Sequence, residues 1–114
     1  MNEIRASDFF SAVVARRWQF VDRASAWTAF LCYLDDRRGA DLRTVFAQEQ
    51  IAIAHECVDA MERGEEQSVH TEWFAAFDAR PDVVKAATEF LVWRGLGAVV
   101  DEVVARQHAN FASR

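Results

Sequence analysis

The sequence predicts an all-α fold, a compact bundle of five or six helices in a single domain. Apolar residues recur at the three- and four-residue spacing of amphipathic helices along most of the chain. Pro81 and the four glycines fall where that spacing pauses, as helix ends should. A chain of 114 residues with 52% hydrophobic content can bury one modest core.

The first helical segment follows Ser7, which we predict to be its N-cap. Its apolar stripe consists of Phe9, Val13 and Phe20, beside Phe10, Val14 and Val21. A second stripe stays in phase with the first and consists of Trp27, Phe30, Leu31 and Leu34. Residues 7–38 therefore form either one long helix or two helices hinged near Ser25, which could itself act as a cap.

A third helix is predicted from Asp41 to about Arg63, followed by Gly64 in the left-handed conformation of a C-terminal glycine. Its apolar arc consists of Leu42, Phe46, Ile51, Ile53, Ala54, Cys57, Val58 and Met61. A short helix is predicted from Ser68 to the segment "ARPD". Its apolar side consists of Val69, Trp73 and Phe77, together with His70 and Phe74.

Pro81 suits the first turn of the next helix, because the N–H that proline lacks has no partner there. This helix is expected to bury Val83, Ala87, Phe90 and Leu91. The paired valines of residues 98–111 fit either a helix or a strand. One strand alone would have no partner, so a last helix is predicted here too.

The composition bears on location and on redox chemistry. The N-terminus lacks the apolar run of a signal peptide, and no apolar stretch approaches the roughly 20 residues of a membrane-spanning helix. We therefore expect a cytoplasmic protein without membrane association. Cys32 and Cys57 have neither zinc-site nor disulfide-scaffold spacing, and both are predicted to be small core residues.

The formal net charge of -5 is unevenly distributed, because residues 47–114 hold twelve acidic and six basic side chains. Such a domain repels phosphate backbones, which disfavours nucleic-acid binding and favours a basic partner. A helix-turn-helix regulator using Arg16, Arg17 and Arg23 is a weaker alternative, opposed by the total charge. Lys85 is the only lysine, which indicates a GC-rich bacterial or phage genome.

The stretch "HECVDAMERGEEQSVHTE" raises the question of a metal site. His55, Asp59 and Glu62 share one helix face, opposite the apolar arc. The ligands of di-metal bundles point inward, and neither Glu-x-x-His nor HExxH occurs in the chain. We predict no metal and no cofactor, with a metal- or ligand-dependent helical protein using this trio as the alternative.

Residues of catalytic type lack a catalytic context. His70 falls on an apolar arc, which predicts a core or boundary histidine satisfied by hydrogen bonding. The serines lack the G-x-S-x-G context, and the cysteines lack an electropositive setting. The segment "RGLGAV" lacks the spacing of a dinucleotide fingerprint. The chain is therefore not expected to be an enzyme.

Two tryptophans lie away from the predicted apolar stripes. Trp18 projects opposite the first stripe, and Trp93 lies at the edge of its helix's apolar arc. Tryptophan is enriched at interface hot spots, so both are candidates for partner contact unless a neighbouring helix covers them. Arg17 lies within an apolar stripe, where it could pair with Asp35 or face a subunit interface.

The overall profile is similar to that of toxin-immunity proteins and of phage anti-defence proteins such as anti-CRISPRs. That resemblance is one of character, and it implies a stoichiometric inhibitor that blocks a basic functional surface on a nuclease or toxin. A homodimer is a further expectation. The predicted partner-binding residues are Glu56, Asp59, Glu62, Glu65 and Glu66, with Trp18 and Trp93 as anchors.

Overall fold

The computed structural model describes residues 4–17, 19–37, 48–65 and 67–112. Trp18, Glu66 and the segment 38–47, with the predicted arc positions Leu42 and Phe46, lie outside the described residues. The helices are α1 (Ala6–Ala15), α2 (Arg23–Arg37), α3 (Gln48–Arg63), α4 (Ser68–Ala79), α5 (Pro81–Trp93) and α6 (Gly97–Ala112). The predicted all-α bundle is confirmed, since the described part of the chain is 84% helical and contains no strand.

The segment for which the sequence allows one helix or two contains two helices, because two residues between them have left-handed backbone conformations. Arg17 and Gln19 have φ angles of 56° and 67°, which a right-handed helix does not accommodate. The second helix is capped by Asp22, whose carboxylate accepts the Ser25 N–H at 2.8 Å. Ser25 is therefore not the cap, and Val21, at 87% exposed, leaves the predicted apolar stripe.

The predicted cap of α1 is also wrong by two residues. Arg5 occupies the N-cap position, and its N–H donates to the Asp8 carboxylate at 2.8 Å. Ser7 is the second residue of the helix, so its own N–H has no acceptor within α1. This N–H is satisfied by another helix, as described below.

Gly64 ends α3 in the left-handed conformation that the sequence predicts, and Gly95 ends α5 in the same way. Gly64 has a φ of 66°, and the N–H of Glu65 reaches back to the Ala60 carbonyl at 2.8 Å. Gly95 has a φ of 80°, and the Leu96 N–H donates to the Leu91 carbonyl at 2.7 Å. Both are Schellman ends, in which glycine enters the left-handed region without the clash that a Cβ would cause.

Gly95→Ala is expected to lower the free energy of unfolding by about 1 kcal/mol, because alanine is strained at a φ of 80°. The matched control is Gly97→Ala in the same loop-to-helix segment. A Cβ at Gly97 would meet Val92 Cγ2 at an ordinary 3.6 Å, so this change should be neutral or slightly stabilising. Urea unfolding of both variants checks the contrast, and equal effects would contradict it.

The core is dominated by aromatic rings from α1, α2, α4 and α5. Phe90 lies at its centre, 5.2 Å from the Tyr33 ring and 5.6 Å from the Phe30 ring, measured between centroids. The other rings of this cluster are Phe10, Trp27, Trp73, Phe74, Phe77 and Trp93, together with Phe20 from the α1–α2 connection. Edge-to-face and tilted pairs of this kind add to the stabilisation from burial alone. No helix within the described ranges has the length and apolarity needed to cross a membrane.

Some predicted core positions are at the surface. Cys57 is buried, as predicted, but Cys32 is exposed. Val69 is 61% exposed and Ile53 is 38% exposed, although both lie on predicted apolar arcs. Helical spacing predicts only which residues share a face, whereas their burial depends on whether another helix lies opposite that particular turn.

Candidate partner-binding surface

Four of the five predicted acidic contact residues lie within ten positions of one another, on α3 and the turn that follows it. Glu56, Asp59 and Glu62 are exposed on the C-terminal half of α3, and Glu65 is exposed in the turn that follows. We call these four residues the acidic corner; Glu66 is outside the described residues. Arg63 forms an ion pair with Glu65 at 3.0 Å, but both side chains are exposed, so this pair offsets little of the negative charge of the corner.

Exposed aliphatic side chains border the acidic corner. Met61 on α3 is 36% exposed, and Val69 in the first turn of α4 is 61% exposed. The two helices that carry them are in contact, since Cys57 Sγ on α3 lies 3.8 Å from the His70 carbonyl oxygen on α4. The second half of α3 and the start of α4 therefore present carboxylates together with apolar side chains.

His70 has the environment of a boundary histidine. Its side chain is 24% exposed, and its Nε2 lies 4.0 Å from Glu56 Oε1. Its Nδ1 accepts the Gln67 N–H at 3.4 Å, which helps to satisfy the first turn of α4. Both ring nitrogens thus have neighbours within the fold.

The His55, Asp59 and Glu62 trio does not converge. His55 is half-buried, while Asp59 and Glu62 are exposed. Among the residues that the structure describes, no group of three or more His, Cys, Asp or Glu side chains is placed to hold a metal ion. The geometry therefore adds nothing to the metal-dependent alternative.

A cleft of about 600 Å³ opens beside the acidic corner, between the N-terminal ends of α1 and α2 and the facing parts of α3 and α4. It is lined by Arg5, Ser7, Asp22, Arg23, Ala24, Trp27, Cys57, Met61, Glu62, His70, Thr71, Phe74, Ala75 and Asp78. Glu62 belongs both to the cleft and to the acidic corner. No local sequence pattern indicates this cleft, because its walls come from four separate helices.

Asp78 is the charged residue buried in the wall of this cleft, with only 6% of its surface exposed. Its carboxylate accepts the Ser7 N–H at 2.7 Å and the Ser7 hydroxyl at 2.5 Å. A residue of α4 thereby caps the first turn of α1, where an anion is favoured by the helix dipole. No local sequence signal could reveal this pair, since 71 positions separate the two residues.

Burial raises the pKa of the Asp78 carboxyl above its ordinary value, because the charged form loses hydration. The hydrogen bonds from Ser7 lower the pKa and so oppose this effect, and nearby Asp8 raises it while Arg5 lowers it. Burial also raises the pKa of the Cys57 thiol, with a further contribution from Glu56. A raised pKa disfavours the thiolate that nucleophilic chemistry at Cys57 would need.

The pKa of Asp78 predicts how stability depends on pH. A carboxyl with a raised pKa binds its proton more tightly in the folded state than in the unfolded state. Its stabilising contribution is therefore fully present below the ordinary value of 3.8 and is lost as the pH rises through the folded pKa. The free energy of unfolding of the wild type, relative to Asp78→Asn, should accordingly fall across that window and level off above it.

Urea unfolding of the wild type and Asp78→Asn from about pH 3 to about pH 8 measures this difference. Ser7→Ala provides a second check, because it removes a hydroxyl hydrogen bond that lowers the pKa of Asp78. In the Ser7→Ala background, the fall in the free energy of unfolding should therefore extend to higher pH. If the free energy of unfolding of the wild type relative to Asp78→Asn stays constant or grows as the pH rises, the pKa of Asp78 is not raised in the folded state.

Trp93 lies away from the acidic corner. Its side chain is 56% exposed and packs on Tyr33, with 5.1 Å between ring centroids. Tyr33 is ten residues along α2 from Arg23, which lines the cleft, so about 15 Å of helix separates the two ends. The predicted anchor Trp93 and the predicted acidic residues therefore do not form one continuous patch; Trp18 is outside the described residues.

The arginines of the helix-turn-helix alternative are dispersed. Arg16 forms an ion pair with Glu102 of α6, Arg17 is exposed in the α1–α2 connection, and Arg23 lies at the cleft. The described residues thus bring together the acidic corner, its aliphatic neighbours and the cleft, but they do not gather these arginines into one surface. Comparison with protein-family models, curated proteins and solved structures found no match to this chain.

Proposed function

We propose that this chain is a small protein-binding module that engages a basic surface of another protein through its acidic corner. The observation that carries the proposal is the set of exposed carboxylates on the last turns of α3 and the turn after it. These charges repel one another, and their contacts contribute little to the fold. A basic partner would relieve that repulsion.

The exposed aliphatic neighbours support the same proposal. Protein interfaces combine apolar contact area with a polar rim, and the rim charges mainly steer encounter. Met61 and Val69 offer apolar area beside Glu56 and Glu62. Association is therefore expected to be fast and sensitive to salt, with the apolar contacts slowing dissociation.

The partner class follows from charge. Nucleases and many toxins carry basic surfaces because they bind phosphate backbones. An acidic protein that covers such a surface blocks it stoichiometrically, without a catalytic site of its own. We place this chain in that class, as a cytoplasmic inhibitor of the immunity or anti-defence type that carries no cofactor and contacts no nucleic acid directly.

The test is affinity capture from bacterial lysate with two versions of the full chain as bait. One is the wild type and the other is the double variant Glu56→Lys/Asp59→Lys, which reverses two exposed charges of the corner. If the proposal holds, the wild-type bait captures a basic protein that the double-variant bait does not capture. Retention of the same proteins by both baits would overturn the proposal.

A third bait controls for total charge. Glu89→Lys/Asp101→Lys makes the same change in net charge at exposed positions on α5 and α6, outside the acidic corner. This variant should retain the partner, because interfacial charges act locally once salt screens the long-range field. Circular dichroism of each bait checks that the helices are intact.

A further inference from the structure

We infer that the outer side of the α3–α4 hairpin binds a basic amphipathic helix of the partner. This inference rests on the proposed function, because it takes a basic protein partner as given and identifies the form in which that partner binds. The two helices run antiparallel, since Cys57 of α3 contacts His70 of α4, while Gln50 accepts a hydrogen bond at 3.0 Å from Arg80 at the end of α4. The middle of α3 therefore lies beside the middle of α4.

The part of this surface that α3 contributes is located by Glu56. Its Oε1 lies 4.0 Å from Nε2 of His70, so Glu56 lies on the edge of α3 that adjoins α4. Ile53 and Glu49 come three and seven residues earlier, which places them on the same face of α3 as Glu56. All three side chains are exposed. This face of α3 therefore presents an apolar side chain between two negative charges.

The part that α4 contributes is mainly apolar. Val69, Trp73 and Ala76 recur at a spacing of four and three residues, so they share one face of the helix. Val69 and Ala76 are exposed, Trp73 is half-buried, and Glu72 is exposed beside them. None of these residues lines the cleft, and neither do those of the α3 face, so both faces lie on the side of the hairpin away from it. We call the combined surface the hairpin face; it consists of Glu49, Ile53, Glu56, Val69, Glu72, Trp73 and Ala76.

The hairpin face carries negative charge only. Its three carboxylates are exposed, and within the part of the chain that the structure describes none of them pairs with an arginine or a lysine. Arg63 and Arg80 flank the face, but each is paired with a carboxylate outside it, at 3.0 Å and 2.6 Å. A lysine or arginine of a partner would therefore meet uncompensated negative charge around an apolar centre, which is the complement of a basic amphipathic surface.

The dimensions and backbone of the hairpin face favour a helix as its occupant. Its apolar side chains on α4 extend from Val69 to Ala76, which is about 10 Å or roughly two helical turns. An amphipathic helix presents its apolar anchors over the same interval, and it packs on two antiparallel helices as a further member of a bundle. An extended segment would instead need a free strand edge, and the described residues contain no strand.

The experiment is a titration of the full chain with a designed peptide, followed by two-dimensional NMR. The peptide consists of leucine and lysine at helical spacing over about four turns, or roughly 14 residues. It should shift the backbone amides of Ile53, Val69 and Ala76 and the indole N–H of Trp73. A peptide of the same composition with leucine and lysine in strict alternation favours a strand, and it should bind about tenfold more weakly. Equal binding of the two peptides would overturn the assignment of a helix.

A matched pair of double variants locates the site. Val69→Ser/Glu72→Lys changes two exposed residues of the hairpin face, and Val92→Ser/Glu89→Lys makes the same two changes at the same separation on α5. The two valines are 61% and 58% exposed, so neither change should disturb the fold. The first variant should raise the Kd of the helical peptide about tenfold or more, through lost apolar contact and lost charge complementarity, and the second less than about twofold. Equal Kd values for the two variants, or shifts confined to other surfaces, would overturn the inference.

The outcome is separable from that of the proposed function, because Val69 and Glu72 lie outside the acidic corner. If the captured partner is lost by Glu56→Lys/Asp59→Lys but bound with full affinity by Val69→Ser/Glu72→Lys, the acidic corner functions as proposed and the inference about the hairpin face is wrong. If the partner is retained by Glu56→Lys/Asp59→Lys, the proposed function itself fails, whatever the peptide does.

Discussion

Phe90→Ala is expected to lower the free energy of unfolding by about 4 kcal/mol. Phe90 is completely buried, and its ring contacts rings from α1 and α2 as well as from its own helix. The substitution removes the apolar area of the ring and leaves a cavity that several rigid aromatic neighbours cannot fill. Since a domain of this size is typically stable by about 5–15 kcal/mol, this single change removes much of its stability.

Val92→Ala is the matched control, since Val92 lies two residues away on the same helix and is 58% exposed. Its truncation should change the free energy of unfolding by less than about 0.5 kcal/mol. Guanidinium chloride unfolding followed by far-ultraviolet circular dichroism measures both variants. Similar losses in the two would mean that the aromatic cluster is not the centre of stability.

Reversal of the acidic corner is the second large effect that we expect, once a partner has been captured and purified. Glu56→Lys/Asp59→Lys should weaken the complex by about 2 kcal/mol or more, which is roughly a 30-fold rise in Kd. Each substitution removes a favourable interfacial charge and adds a repulsive one. Both residues are exposed on α3, so the free energy of unfolding should change little.

Surface plasmon resonance at a series of salt concentrations separates the two parts of this effect. The association rate of the wild type should fall as salt rises, because charge complementarity steers encounter, and the double variant should lose that dependence. Glu89→Lys/Asp101→Lys, with the same net charge, should retain most of the affinity. An unchanged Kd in Glu56→Lys/Asp59→Lys would mean that the acidic corner is solvated surface and that binding occurs elsewhere.

The sequence alone determined the helices and where most of them end. Pro81 at the start of α5 and Gly64 after α3 act through their own backbone preferences, which any fold must respect. The apolar spacing also identified the large core residues, including Phe90 and Leu91. The acidic residues of the corner could be named in advance, because charges on the face opposite an apolar arc tend to be exposed.

Only the tertiary structure decided how those helices are arranged and what they bring together. The break between α1 and α2 occurs at Arg17 and Gln19, neither of which belongs to a type that breaks helices locally. Cys32 and Val69 are exposed because burial depends on a facing helix rather than on helical spacing.

The cleft and the cap that Asp78 provides for α1 likewise join residues that are distant in sequence. Periodicity and propensity act over one or two turns of a helix. Contacts across 71 positions depend instead on how whole helices pack, which no local pattern encodes.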